Sequence, residues 1–281
     1  IGDFAFFSCL KLEDINLPDG LTKIGYQAFQ NCYSLTEITI PGSVKKFGGS
    51  FQNMNKLETI TFEEGVQEIS GNSMVSNCSS LENIELPESL KYITGPAAFA
   101  SAEKLKDISL PDGVEIKKAS GLFSDDTSLT SITLPDSVIS IPQSAFSGCS
   151  ALEEVTAKGT ITEIGQQAFY KDTALAKIPD SVTSIADHAF EYTSIEHLIL
   201  GSGLESIKND AFSISSMGSS AFYKCRSLKT EVDLSSLQNV PYQAFAYSSI
   251  PSVILCDSLG TIGNWAFLGT ELSSVTLPET L

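Results

Sequence analysis

The stretch Leu152–Phe169, LEEVTAKGTITEIGQQAF, sets the pattern for the whole chain. It reads as L-x-x-V-x-A, a turn, and then I-x-x-I-x-x-x-A-F. The same frame returns at Leu129 as LTSITLPDSVISIPQSAF and at Leu272 as LSSVTLPETL. A period of this length is the signature of a solenoid, in which successive repeats stack on one another.

The aromatic residue of each A-F pair serves as a phase marker. The markers are Phe6, Phe29, Phe51, Met74, Phe99, Phe123, Phe146, Phe169, Phe190, Phe212, Phe222, Phe245 and Phe267. The intervals between them are nearly constant, at roughly 21–25 residues, which is the range of solenoid repeats. The single exception is the short step from Phe212 to Phe222. We therefore predict one solenoid over positions 1–281, made of about twelve such 21–25-residue repeats with a half-repeat insertion near 212–222.

Each repeat has three parts. The strand L-x-x-I-x-L alternates apolar and polar residues at its end, which is the period of a β-strand. A turn such as Pro-Asp-Gly at Pro18 or Pro-Asp-Ser at Pro135 follows it, because proline presets φ and ends the ladder. The return segment V-x-x-I-x-x-x-A-F is predicted to close with a short helical or 3₁₀ turn. This pattern predicts one strand per repeat.

The sequence begins at Ile1 and ends at Leu281, both inside a repeat. Stable arrays need capping repeats with a polar outer side. We find the pattern of a cap at neither end and expect the sequence to be a segment of a longer protein.

The charge balance limits the classes of partner. The chain has 17 Lys and Arg against 34 Asp and Glu, for a net charge of −17. This disfavours nucleic acid, whose phosphates need basic residues, and anionic membrane surfaces. No stretch approaches the roughly 18 apolar residues of a membrane span. High net charge also simply favours solubility and a monomer.

The six cysteines follow the repeat phase. Cys9, Cys32, Cys149 and Cys225 come three residues after a marker, Cys78 comes four after Met74, and only Cys256 is out of phase. This pattern is typical of small buried apolar residues. There is no C-x-x-C pair and there are only two histidines, so we expect neither a metal site nor a cofactor. A disulfide between Cys9 and Cys32 is a lesser alternative.

Catalytic signatures are missing from the sequence. It contains no G-x-S-x-G, H-E-x-x-H or phosphate-binding glycine loop. The carboxylate pairs Asp125–Asp126 and Glu63–Glu64 fall in turns and are expected to be solvated. His188 is expected to be exposed, and His197 to lie on the outward side of a strand. We therefore propose no catalytic group and predict that the protein is not an enzyme.

The consensus L-x-x-I-x-L-P-x-S-V-x-x-I-G-x-x-A-F-x-x-C resembles the BspA-like class of leucine-rich repeats. The match is close at Ile24–Cys32 and Leu134–Cys149 and extends over essentially the whole chain. The resemblance implies an α/β fold, a right-handed β-α superhelix. In this curved solenoid a parallel β-sheet lies on the concave face, and there is little regular helix. It also implies a cell-surface or secreted bacterial protein, in several relatives an adhesin.

The candidate binding surface is the open face of the sheet, because residues flanking the central Ile of each strand point away from the core. The candidates are Asp14, Asn16, Glu37, Thr39, Thr59, Thr61, Asn83, Glu85, Asp107, Ser109, Ser131, Thr133, Glu154, Thr156, Lys177, His197, Ile199, Asp233 and Ile254. An ordinary solvated sheet face is an equally good interpretation, since Thr is favoured in strands.

The leading functional hypothesis is a surface-exposed, adhesin-like module that binds a protein, including a glycoprotein or matrix protein. The second is a structural spacer that presents other domains of a larger surface protein. An enzyme comes last because no catalytic constellation exists.

Overall fold

Short parallel β-strands stacked repeat on repeat make up the protein, whose structure is a computed structural model. It describes residues 1–117, 119–175, 181–196 and 220–281, together with the backbone of 206–207. The strands are β1 (Lys23–Tyr26), β2 (Glu37–Ile40), β3 (Lys46–Gly48), β4 (Thr59–Phe62), β5 (Glu68–Ile69), β6 (Asn83–Glu85), β7 (Tyr92–Ile93), β8 (Glu115–Ile116), β9 (Ser131–Leu134), β10 (Ser140–Ile141), β11 (Glu154–Ala157), β12 (Glu163–Ile164), β13 (Ser184–Ile185), β14 (Ser206–Ile207), β15 (Val232–Leu234), β16 (Asn239–Val240), β17 (Val253–Leu255) and β18 (Thr261–Ile262).

The L-x-x-I-x-L segments form the first ladder. Its hydrogen-bonded groups are β2-β4-β6, β9-β11 and β15-β17, all parallel. The central isoleucines align across it, so that Ile38 pairs with Ile60 and Ile60 with Ile84. Equivalent residues of successive repeats therefore stack in columns, as a solenoid requires.

The return segments form a second ladder, which our prediction of one strand per repeat missed. Its groups are β1-β3, β5-β7-β8, β10-β12-β13-β14 and β16-β18. Ile141, Ile164 and Ile185 align in it and are buried. The backbone N–H and C=O groups beside a buried side chain need hydrogen-bond partners, and the neighbouring repeat supplies them.

The A-F segment is a turn, not the short helical element that we predicted. Residues two before and two after a marker have positive φ, as at Gln27 (50°) and Asn31 (62°), and such residues interrupt any helix. The N–H group of the marker between them bonds to the next repeat, for example from Phe29 to the carbonyl of Ser50 at 2.9 Å. No helix occurs in the described residues. The fold there is an all-β parallel solenoid, which corrects the α part of the α/β prediction.

The marker phenylalanines form a stack through the core. Rings from adjacent repeats lie nearly parallel, with centroids 5.1 to 5.8 Å apart. One run joins Phe6, Phe29 and Phe51, and the other runs from Phe99 to Phe267. Stacking of this kind adds to the free energy gained by burying each ring.

Between the two runs the marker is Val75, and our assignment of Met74 is wrong by one residue. The N–H of Phe51 bonds to the carbonyl of Met74, and the N–H of Val75 bonds to Ala98. This places Val75 in the phenylalanine column and makes the following intervals regular. It also brings Cys78 to the third position after its marker, like the other phased cysteines. An aliphatic marker beside a buried Met concealed the phase.

The repeat that follows Phe190 is longer than the others. The ring of Phe222 stacks directly on Phe190 at 5.2 Å, and the N–H of Phe190 bonds to the carbonyl of Ala221. The same long step separates the hydrogen-bonded side chains of Tyr192 and Lys224, whose sequence numbers differ by 32. Phe212 and most of the predicted half-repeat insertion lie outside the described residues.

The glycine of the I-G dipeptide permits close stacking of the repeats. A Cβ at Gly165 would lie 2.6 Å from the backbone nitrogen of Gln143 in the preceding repeat. The same contact would occur at Gly263, 2.6 Å from the backbone nitrogen of Tyr242. Any side chain here would push adjacent repeats apart, which accounts for this glycine in the consensus.

Removing one ring from the stack should destabilise the array. Phe146 is 2 % exposed and lies between Phe123 and Phe169, with centroids at 5.7 and 5.5 Å. We expect Phe146→Ala to lower the free energy of unfolding by about 3–5 kcal/mol, through lost burial and the cavity left behind. Denaturant melts measure this loss.

The matched control is Ser147→Ala, one position further along the same turn, where the side chain is half-buried. It should change the unfolding free energy far less. Equal losses in the two variants would contradict the assignment of Phe146 to the core column.

Candidate functional site

The outward residues of the first ladder form a polar surface, which we call the open sheet face. In β2 and β9 the pattern alternates: Glu37, Thr39, Ser131 and Thr133 are exposed, and the residues between them are buried. The period of two along a strand produces this alternation. The outward direction predicted for these candidates is therefore correct, while their role in binding stays a proposal.

Candidates from neighbouring repeats stand side by side on this face. Glu37 pairs with Thr59 and Thr59 with Asn83 in the strand register. The hydroxyl of Thr61 donates to the Glu85 carboxylate at 2.9 Å. Thr133 and Thr156 share a hydrogen bond between their hydroxyls at 2.9 Å, and Glu154 is half-buried beside Ser131. The face is thus organised as two columns of hydrogen-bonding side chains.

The ends of the face are less regular. Asp14, Asn16 and Asp107 are exposed but lie outside the strands, and Ser109 makes a single bridge to Thr133. Asp233 and Ile254 pair in β15 and β17, and a hydrogen bond from Ser235 lowers the pKa of Asp233. The side chain of Ile254 is 44 % exposed. Lys177, His197 and Ile199 lie outside the described residues.

The amino-terminal end of the face contains a hollow of about 340 Å³. Four carboxylates line it, those of Asp14, Asp19, Glu37 and Glu63. A concave surface lined by one sign of charge raises the local concentration of oppositely charged partners. This end of the open sheet face is therefore suited to a basic surface.

The phased cysteines are core residues, as their spacing predicted. In Cys32, Cys78, Cys149 and Cys225 the thiol donates to the carbonyl of a marker phenylalanine in the preceding repeat, at 3.0 to 3.2 Å. Burial raises the pKa of Cys32 to about 11 and those of Cys78 and Cys225 to about 12. Such thiols are unreactive. All six cysteines are free, so the Cys9–Cys32 disulfide is not formed; Cys9 itself is only half-buried.

Two aspartates occupy this cysteine column, which corrects our placement of Asp126 in a solvated turn. Asp126 is 0 % exposed and comes three residues after Phe123, as Asp172 comes three after Phe169. The backbone N–H of Ala102 donates to one carboxyl oxygen of Asp126 at 2.8 Å, and the other oxygen is buried without a partner. The three-residue spacing from the marker could have predicted that Asp126 is buried, but the Asp125–Asp126 pair indicated a solvated turn.

Asp172 is also fully buried, beside Cys149 in the same column. Neither carboxyl oxygen makes a hydrogen bond of ordinary geometry in the described residues. The N–H groups of Gly148 and Cys149 lie close to it and favour the charged form, but they already donate to Tyr170 and Phe146. Burial therefore prevails and raises the pKa well above that of an ordinary aspartate, as it does for Asp126.

His188 is half-buried and paired, where we expected an exposed and isolated residue. Its Nδ1 lies 2.7 Å from Glu191 Oε2, and this hydrogen bond raises the pKa of the imidazole. A separation of three residues across the A-F turn brings the two side chains together. The pair is a local contact within one repeat.

Within the described part of the chain, no group of three or more His, Cys, Asp and Glu side chains could hold a metal ion. A helix long and apolar enough to cross a membrane is also not found there.

A second surface escaped the sequence reasoning altogether. Tyr170, Tyr192, Tyr223 and Tyr247, from four stacked repeats, make ring-to-ring contacts in a row, which we call the tyrosine ridge. Each tyrosine comes one or two residues after its marker, so an alignment of the repeats on the phenylalanine column would have revealed the row. The open sheet face, the one surface that the sequence predicted, has no aromatic residue among its candidates.

These features define the protein as a leucine-rich-repeat solenoid. The sequence profile of the BspA type leucine-rich repeat region matches residues 1–120, 94–217 and 213–281. The chain therefore belongs to the BspA-type leucine-rich repeat family, as its consensus indicated.

Solved structures of bacterial leucine-rich repeat proteins are similar to this chain. One from Bacteroides ovatus is 30 % identical, with a TM-score of 0.72 over 92 % of this chain and 70 % of that one. One from T. pallidum is 29 % identical, with a TM-score of 0.45 over 52 % and 66 %. A leucine-rich cell surface protein from Faecalibacterium prausnitzii is 23 % identical, with a TM-score of 0.46 over 94 % and 82 %. No curated protein matches the chain.

The two aspartates of the cysteine column, Asp126 and Asp172, should make stability depend on pH. Their folded-state pKa values lie well above the unfolded value of about 3.9. Their contribution to stability is therefore complete below about pH 4 and is lost progressively as the pH rises toward the folded-state pKa values. We expect Asp126→Asn with Asp172→Asn to flatten the fall in unfolding free energy between pH 4 and 7, as measured by denaturant melts.

An exposed turn aspartate provides the control. Asp136→Asn should leave the slope of unfolding free energy against pH as in the unmodified protein, because this side chain is exposed. A double variant whose slope equals that of the control would argue against buried protonated carboxyls.

The cysteines should differ in reactivity according to burial. In native buffer, half-buried Cys9 and Cys256 should react with a thiol reagent, while Cys32, Cys78, Cys149 and Cys225 should react only on unfolding. Mass spectrometry of peptides after timed labelling measures this. Rapid native labelling of Cys78 or Cys225 would show that the cysteine column is open to solvent.

Proposed function

We propose that the chain is a non-catalytic protein-interaction module of a bacterial cell-surface or secreted protein, adhesin-like, with the open sheet face as its partner-binding surface. Leucine-rich repeats of this family are commonly interaction modules of bacterial surface proteins. The observation that carries the proposal is the regular display of outward side chains in two columns over successive repeats.

The geometry supports this use of the face in two ways. Its side chains stand on paired strands, so a partner meets donors and acceptors that are already positioned, which lowers the entropic cost of binding. The core behind them is closed, with Ile38, Ile60 and Ile132 no more than 3 % exposed. Changes on the outward side therefore leave the packing intact.

The charge of the face indicates the kind of protein that it would receive. Asp14, Glu37, Glu85 and Asp107 are all exposed along its first half. Complementary charge increases association rates and selects partners, and it acts less as salt rises. We propose a host or neighbouring-cell protein with a basic patch, of the glycoprotein or matrix class.

The alternative is a spacer that holds other domains of a larger surface protein. The stack of nine described phenylalanine pairs favours it, because a continuous core gives a stiff array with no need for a ligand. A spacer would bind no partner on either ladder.

Reversing the charge of the face should slow binding. We expect the triple variant Glu37→Lys, Glu85→Lys and Asp107→Lys to reduce the association rate with a basic protein partner by tenfold or more at low salt, since it removes electrostatic steering. The unfolding free energy should change little, because all three residues are exposed. Surface plasmon resonance against a panel of matrix proteins measures the rates.

A triple variant with the same charge change in the turns, at Glu88, Asp136 and Asp257, is the control. These side chains are exposed but lie in turns between the strands, away from the acidic hollow. Equal association rates for the two triple variants would exclude the open sheet face as the site. If the unmodified chain binds nothing in the panel, the spacer alternative gains.

A further inference from the structure

One column of the solenoid changes character along the chain. In the described repeats the residue two positions after the marker has positive φ, and in three early repeats it is Asn31, Asn53 and Asn77. Their amides form a ladder, in which Asn53 donates to Asn31 and Asn77 donates to Asn53 at 3.1 Å. Asparagine tolerates this left-handed conformation well, and Gly148 in the same column tolerates it better still.

In four consecutive stacked repeats the same column holds large side chains instead. They are Lys171, Tyr192, Lys224 and Tyr247, with φ of 65°, 62°, 58° and 59°. A bulky residue in the left-handed region is strained, and such strain is retained where the site needs that side chain. Nothing in the core requires these residues, because Tyr192 and Tyr247 are 37 % and 41 % exposed.

The ring contacts make one continuous row. The centroid distances are 5.9 Å from Tyr170 to Tyr192, 6.0 Å to Tyr223 and 5.7 Å to Tyr247, each pair edge to face. Gly269 leaves room for the end of the row, since a Cβ there would lie 2.8 Å from the Tyr247 ring. The ridge therefore spans four repeats as a rigid aromatic surface.

The lysines are fixed on the rings. The ammonium of Lys224 lies 4.9 Å from the centroid of Tyr192 and 5.0 Å from that of Tyr223, and it donates to the Tyr192 hydroxyl at 3.2 Å. The ammonium of Lys171 lies 4.9 Å from the Tyr170 centroid. Cation–π contact of this kind holds a flexible side chain in place while its charge stays exposed to solvent.

A hollow of about 330 Å³ opens beside the ridge. Its lining is Tyr192, Thr193, Ser194, Lys224, Arg226 and Ser227. Two cations, hydroxyl groups and one aromatic ring thus meet there, and no carboxylate lines it. The charge of this hollow is opposite to that of the acidic hollow on the open sheet face. A basic hollow is unusual in a chain of net charge −17.

The backbone N–H groups of the ridge are already engaged. The N–H groups of Tyr192, Lys224 and Tyr247 donate to carbonyls of the following repeat at 3.0, 2.9 and 2.7 Å. A peptide therefore cannot bind here by adding a strand, because the donors that it would pair with are occupied. Recognition must come from ring surfaces, hydroxyls and fixed cations.

We propose that the tyrosine ridge, with Lys171, Lys224 and Arg226, is a binding site for an acidic polysaccharide. The C–H faces of sugar rings pack on aromatic surfaces, sugar hydroxyls bond to Ser and Thr, and carboxylate or sulfate groups pair with the cations. A row across four repeats fits a chain of several sugar units. The site is separate from the open sheet face and does not depend on the function proposed for that face.

Asparagine substitutions test the ridge without disturbing the turn. Tyr192→Asn with Tyr247→Asn, and separately Lys171→Asn with Lys224→Asn, place in each repeat the residue that this column carries at Asn31, Asn53 and Asn77. We expect either double variant to bind a uronic-acid hexasaccharide or a sulfated hexasaccharide at least tenfold more weakly in calorimetric titration. Melting temperatures should stay the same or rise, because the backbone strain is relieved.

The controls separate charge and sugar chemistry. Tyr33→Ala with Lys56→Gln removes an exposed tyrosine and an exposed lysine away from the ridge and should leave binding unchanged. A neutral glucan hexamer should bind at least tenfold more weakly than the acidic hexamers. Stronger binding of the sulfated hexamer than of the uronic acid, or the reverse, identifies which anionic group is recognised.

Three results would overturn the proposal. One is equal binding of the acidic and neutral hexamers, and another is unchanged binding by both asparagine double variants. The third is binding of a polyglutamate peptide as tight as that of the acidic hexamers, with the same losses in the variants, which would make the ridge a site for acidic proteins. The charge-reversed open face variant should bind the hexamers normally, so failure of one site does not imply failure of the other.

Discussion

The stacking of one marker phenylalanine on the next is the contact on which the rest of the structure depends. Its spacing, 5.1 to 5.8 Å, agrees with the close approach of successive repeats, and the backbone hydrogen bonds maintain that approach where Val75 interrupts the rings. The turns on either side then bond repeat to repeat, as from Phe29 to Ser50 and from Phe146 to Ala168, both at 2.9 Å. A single repeat cannot bury its own ring, so each one is stable only against its neighbours.

This dependence explains which parts of the fold were predictable. The columns of core residues were predictable, because a buried apolar position recurs once in every repeat. Ile38, Ile60 and Ile84 form one such column. The second ladder was not predictable. Two-residue strands such as β10 and β12 are too short to show an alternation of apolar and polar residues, and they are strands only because they pair with the neighbouring repeat. The turn that replaced the expected helix is set by backbone dihedral angles, which sequence spacing does not record.

The same distinction applies to the candidate surfaces: features set by one repeat were predictable, and features that depend on several repeats were not. The outward direction of Glu37, Thr39 and Thr133 came from strand period alone and was correct. The burial of Asp126 depended on its place in the cysteine column, and its local sequence, Asp-Asp, indicated the opposite. The tyrosine ridge depends on contacts between side chains of different repeats, such as Tyr192 with Tyr223. A period found in one repeat cannot reveal such a contact until the repeats are aligned.

The valine in the phenylalanine column has a consequence for how the solenoid transmits force. An array whose units touch only their neighbours is a series of links, and a pull along it is carried equally by every link. The links on either side of Val75 carry no ring stacking, whereas the described links from Phe99 to Phe169 all do. The two Val75 links keep their backbone hydrogen bonds but lack the ring contact, so we expect them to yield at a lower force, and they divide the amino-terminal three rings from the long carboxy-terminal run. In a protein held at both ends, that boundary is where we expect the array to open first under tension.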